Sequence, residues 1–89
     1  PVANRTGGST FTNPNTIPAW KLIDKINFRG KRQGGAKVSN LHSNFIINDN
    51  DASSLDIEIL GEEIKRTVWE KQRIKLVWEL QRIGKFKKV

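Results

Sequence analysis

The chain has no cysteine and no methionine, a single histidine, and only nine acidic residues against sixteen basic ones. Each shortage removes a class of chemistry. Without cysteine there is no disulfide framework and no thiolate to act as nucleophile or ligand. One histidine, His42, excludes a site built on two. No apolar run approaches the roughly 20 residues that span a bilayer, and no signal-peptide pattern opens the chain, so no membrane is expected as a partner. The glycines follow neither the Gly-x-Gly-x-x-Gly nor the P-loop spacing, so the chain is not expected to hold a dinucleotide by itself. The missing methionine, with Pro1 in first place, leads us to expect a piece of a longer protein whose remainder lies upstream.

What is present fits one small domain. At 89 residues the chain is long enough for one modest core and too short for two. With no disulfide or metal staple, packing alone must hold it. The net charge of +7 comes from clusters at Arg29-Gly30-Lys31-Arg32, along Lys65 to Lys75, and at Lys85-Phe86-Lys87-Lys88. Such charge suits a polyanion, either nucleic acid or a ligand bearing phosphates. It equally suits a solvated basic surface, because the clusters form no unbroken stripe and no aromatics interleave with them.

Along the chain, residues 1–18 hold all three prolines and read as a loop, with at most a short extended segment from Ser9 to Thr12. Apolar positions 19, 22, 23 and 26 then mark one helix face, and Pro18 suits the first turn. Gly30, Gly34 and Gly35 punctuate a turn before a strand over Ala36 to Ser39, and Asn44 to Asn48 reads as a second strand. A long helix is predicted from Ser53 to Arg73, capped by Ser53 with Asp56 as capping-box partner. Its stripe is Leu60, Ile64, Val68 and, one step on, Leu76, with Ile57 continuing it backwards. Lys75 to Gly84 alternates as a last strand, with Glu79 on the face of Val77, Gln81 and Ile83. The expected fold is α+β, two helices packed on a small sheet of three or four strands, in the order loop-α-β-β-α-β.

Few residues could carry chemistry. Ser9, between Gly8 and Thr10, is in a place where serine usually bonds its own backbone. It lacks the Gly-x-Ser-x-Gly elbow of a nucleophile, although His42 and Glu79 could complete a triad with it. As a proton donor it needs only a strongly basic partner and good positioning. Glu79 stands among Trp78, Leu80 and Ile83, a setting that implies partial burial and a raised pKa. An inward charge on an edge strand also serves simply to discourage aggregation. His42 can donate to a phosphate, and Arg29 beside Gly30 could fork onto phosphate oxygens.

Four runs, in order, resemble one family. Gly8-Ser9-Thr10-Phe11-Thr12-Asn13-Pro14 is similar to the Gly-Ser-x-Phe-x-Asn-Pro signature of UDP-N-acetylenolpyruvoylglucosamine reductases. Leu22-Ile23-Asp24, the segment from Gly30 to Ser39 with Gly34-Gly35-Ala36 at its centre, and the Glu79-led run to Gly84 match further parts of it. Thr12 stands where lysine is frequent, Gln81 where arginine is frequent, and Trp78 where proline is frequent.

The resemblance implies that residues 1–89 are the C-terminal substrate-binding domain, with the N-terminal FAD-binding domain outside this chain. It implies a bacterial, cytoplasmic flavoenzyme of peptidoglycan synthesis that uses FAD and NADPH. Its substrate would be UDP-N-acetylglucosamine enolpyruvate. Ser9 would donate the proton, Glu79 would assist, and Asn13, Arg29 and His42 would contact the substrate. Alone, the chain would be inactive and hold no FAD tightly. The alternative expectation is a small basic nucleic-acid-binding module, motivated by the charge.

Overall fold

The computed structural model describes residues 9–79. Five elements follow one another: α1 (Ala19–Lys25), β1 (Arg32–Gln33), β2 (Ala36–Val38), β3 (Ile46–Asn48) and α2 (Ser54–Gln72). The α+β class and the two helices on a small sheet are as expected. The sheet is antiparallel in the order β1-β2-β3, with Gln33 opposite Ala36 and Val38 opposite Ile46.

The local reasons are legible in each element. In α1 the stripe buries Ala19, Leu22 and Ile23. Pro18 sits one step before the first turn, as the extended N-cap, and the Ala19 N–H is met by Asn13 Oδ1 at 2.8 Å. The helix α2 opens on a complete capping box. Ser53 Oγ accepts the Asp56 N–H at 3.0 Å, and Asp56 Oδ2 accepts the Ser53 N–H at 3.1 Å. The same carboxylate accepts the Gly35 N–H at 3.3 Å, which ties the start of α2 to the β1–β2 turn. Two backbone donors and the serine hydroxyl hold the Asp56 carboxyl below its ordinary range.

The segment around Gly34-Gly35 does more than turn. It joins β1 to β2 as a two-residue hairpin loop, with Gly34 at φ +55°. A Cβ on Gly35 would lie 2.1 Å from the Asn50 carbonyl oxygen, so the bare backbone admits the β3–α2 connection. Arg32 and Gln33 form a strand where the sequence predicts only a turn, because two polar residues carry no alternation to announce one.

Ala36 and Val38 on β2, with Ile46 on β3, face the core, which α2 covers with Ile57, Leu60, Ile64 and Val68. The final strand differs from expectation. Among the described residues it contracts to one bridge pair, Phe11 with Trp78, and residues 80–84 lie outside the described part. Leu76 and Phe11 are fully buried there, so the crossing of the two segments closes one end of the core.

Candidate active site

At that crossing the two backbone segments run antiparallel. The Thr12 N–H donates to the Val77 carbonyl at 2.9 Å and the Glu79 N–H donates to the Thr10 carbonyl at 2.8 Å. Both flank the bridge of Phe11 and Trp78, so Ser9 and Glu79 emerge side by side at its end. The Ser9 hydroxyl donates to Glu79 Oε1 at 2.7 Å, across 70 residues of sequence. An alcohol and a carboxylate at this distance form a pair through which a proton can pass.

Two expectations about the pair need revision. Glu79 is exposed, not partly buried, and Val77 beside it on the same face is exposed as well. Side chains alternate along this segment, but the apolar positions that pack inward, Leu76 and Trp78, belong to the other face. His42 does not complete a triad. Among the described residues it shares no hydrogen bond with Ser9 or Glu79; its Nδ1 accepts the Asn44 N–H at 3.4 Å, and its ring packs edge-on against Phe45 at 4.8 Å.

What holds the Ser9 segment is Asn44, whose role the sequence reading missed. Its side chain is buried and bonds both backbone groups of Phe11: Oδ1 accepts the N–H at 3.0 Å and Nδ2 donates to the carbonyl at 2.9 Å. Its own carbonyl accepts the Thr10 N–H at 2.7 Å. Asn44 thus serves the Ser9 segment as a neighbouring strand would. The side-chain oxygen of Thr10 itself is buried without a partner.

The basic residues proposed to meet a phosphate are differently employed. Arg29 grips Asp24 with two bonds, Nε to Oδ1 at 2.8 Å and an Nη to Oδ2 at 3.0 Å, and donates from its other Nη to the Asn40 carbonyl at 2.6 Å. The Arg29 hydrogen bond holds the Asp24 carboxyl below its ordinary range, with partial burial opposing it. Lys31 pairs with Glu63 and Arg32 with Asp49, so the Arg29–Arg32 cluster that suggested a polyanion partner is largely neutralised in place. Asn13 is committed through its oxygen to the start of α1, while Arg29 binds near that helix's other end. The structure therefore unites Ser9 with Glu79, and it employs Asn13 and Arg29 at opposite ends of α1. No group of three acidic or histidine side chains forms a metal site among the described residues.

The comparisons with known proteins agree on one family. Residues 1–83 match the family model described as UDP-N-acetylenolpyruvoylglucosamine reductase, C-terminal domain. The reductase of that name from Sphingopyxis alaskensis is 55% identical over 96% of this chain, which spans 28% of that protein. Those from Parvibaculum lavamentivorans and Rickettsia massiliae are 54% and 51% identical, over 94% and 96% of the chain and 27% and 29% of theirs. The crystal structure of the Thermus caldophilus reductase superposes on 81% of this chain and 26% of its own, with a TM-score of 0.61 at 38% identity. The chain thus spans less than a third of these relatives, and nothing among them supports a nucleic-acid-binding module. With its family model matched nearly end to end, the chain belongs to the UDP-N-acetylenolpyruvoylglucosamine reductase C-terminal domain family.

Proposed function

We propose that this chain is the substrate-binding and proton-donating part of a UDP-N-acetylenolpyruvoylglucosamine reductase, acting in a bacterial cytoplasm on a peptidoglycan precursor. The observation that carries the reading is the 2.7 Å contact between Ser9 Oγ and Glu79 Oε1. The substrate is UDP-N-acetylglucosamine enolpyruvate and the product UDP-N-acetylmuramate. FAD and NADPH, which supply the hydride in this family, belong to an N-terminal domain outside this chain. The glycines of this chain follow no dinucleotide-binding spacing, and no residue here is assigned to either cofactor.

The task left to this chain is protonation of the substrate carbon that becomes basic when its neighbour is reduced. The Ser9 O–H bond breaks as the new C–H bond forms. A hydroxyl is a weak acid, so a second group must restore its proton or offset its charge. Glu79 is placed for this. Reachable by solvent, its carboxyl group can pass a proton from water to the Ser9 oxygen through the same contact. Asn13 and His42 remain candidate substrate contacts. Asn13 uses only its oxygen on α1, and His42, accepting at Nδ1, carries its neutral-form hydrogen on Nε2. Arg29, spent on Asp24, acts by fixing the Asn40 loop.

The full-length protein carrying this chain tests the proposal. Glu79→Gln keeps the shape and removes the carboxyl group that can relay a proton. It should lower turnover of the sugar nucleotide by about 100-fold or more, the range for loss of a general acid. Turnover equal to the parent's would reject the assignment of Glu79.

A further inference from the structure

Among the described residues, one rung of backbone hydrogen bonds flanks the serine–glutamate pair. One rung does not fix its own register. Because side chains alternate along an extended segment, a slip of one residue would turn Glu79 away from Ser9. Side chains can set the register here, and Trp78 makes three contacts that anchor it. Its ring lies 5.1 Å from that of Phe11, tilted by 43°. Its indole Nε1–H donates to Glu62 Oε2 at 2.7 Å. Its six-membered ring fills the space over Gly61, where a Cβ would lie 1.9 Å from Cη2 and 2.4 Å from Cζ2. Glycine is the poorest helix former after proline, so one at the middle of a 19-residue helix needs a packing reason. The indole supplies it.

We infer that Trp78 is the positioning residue of the Ser9–Glu79 pair: seated against Gly61 and tethered to Glu62, it fixes the register that brings the carboxylate within reach of the hydroxyl. This rests on the reading of that pair as the reacting groups, and the test lets the two fail separately. A slipped or loosened rung must also expose the Glu79 amide, whatever the chain's activity.

The first measurement is therefore amide hydrogen exchange on the chain itself, with the Leu60 amide in the core of α2 as the control for global unfolding. Trp78→Phe keeps an aromatic ring and removes the bond to a charged acceptor, which corresponds to about tenfold or more in local opening. The Glu79 amide should exchange faster by that factor while Leu60 changes less. Gly61→Ala should act the same way by displacing the ring. Glu62→Gln, which retains an acceptor oxygen, should restore most of the protection lost in Glu62→Ala. In the full-length protein, Gly61→Ala should slow oxidation of the reduced enzyme by the sugar nucleotide by about 100-fold, as a misplacement near 1 Å does. KM for the sugar nucleotide and reduction by NADPH should hardly move. Added to Ser9→Ala, it should cost little more, since both act on one unit. If Gly61→Ala unfolds the chain, the Leu60 amide reports it, and Trp78→Phe, which adds no volume, decides. Unchanged Glu79 exchange in Trp78→Phe, or additive losses in the double variant, overturns the inference. An active Ser9→Ala would instead sink the reductase reading and leave the exchange result standing.

Discussion

Replacing Asn44 with alanine should cost this domain much of its stability. The side chain makes two hydrogen bonds to Phe11, at 3.0 and 2.9 Å, in a place where Phe11 is 1% exposed. Alanine leaves a backbone N–H and a C=O without partners and out of reach of water. Each such group costs about 1–3 kcal/mol, so the pair sums to about 3 kcal/mol toward the lower end. A domain of this size has a stability of about 4–13 kcal/mol, from about 0.05–0.15 per residue. With a urea dependence of about 1 kcal/mol per molar, the midpoint should fall by about 3 M. Asn44→Asp should lose a comparable amount, because a carboxylate oxygen would then face the Phe11 carbonyl. Equilibrium urea unfolding of the chain, followed by tryptophan fluorescence, reads both. A midpoint shift under about 0.5 M for Asn44→Ala would refute the assignment of Asn44 as the substitute strand for the Ser9 segment.

Two further expectations concern stability. Ser53→Ala removes the capping hydroxyl of α2 and should cost about 1 kcal/mol, seen as a lower thermal midpoint by circular dichroism; an unmoved midpoint would show that the cap contributes nothing. The depressed carboxyls of Asp24, Asp49 and Asp56 contribute stability that is fully present above their ordinary value of 3.8 and is lost as pH falls through their lower folded values. Stability should therefore decline on the acid side of about pH 4, and Asp56→Asn should flatten that decline; a urea midpoint that rises on acidification would contradict the sign.

Much of the scaffold was legible because periodic apolar spacing is a strong signal. Ile57, Leu60, Ile64 and Val68 announced α2, Ser53 with Asp56 marked its start, and the four motif runs placed Ser9 and Glu79 in a known family. The β1 strand was not legible, since Arg32 and Gln33 become a strand only through pairing across Gly34-Gly35. Nor was the exposure of Glu79, because apolar neighbours in sequence do not say which of two faces packs inward. Arg29 looked like a phosphate fork; its carboxylate partner five residues earlier in Asp24 was visible, but helix-end geometry decides whether the two meet. Asn44 gave no warning of its role. Gly61 did: a glycine within an otherwise regular apolar stripe signals that another group approaches the helix there, and the group is Trp78.

In the function proposed above, Ser9 delivers a proton once the substrate's double bond has accepted hydride. Rapid-mixing absorbance of the full-length protein separates the two halves of the cycle for Ser9→Ala. NADPH should still bleach the flavin at the parent rate, while the reduced enzyme should return to its oxidised colour with UDP-N-acetylglucosamine enolpyruvate at least about 100-fold more slowly. Parent-like reoxidation by that substrate would contradict it.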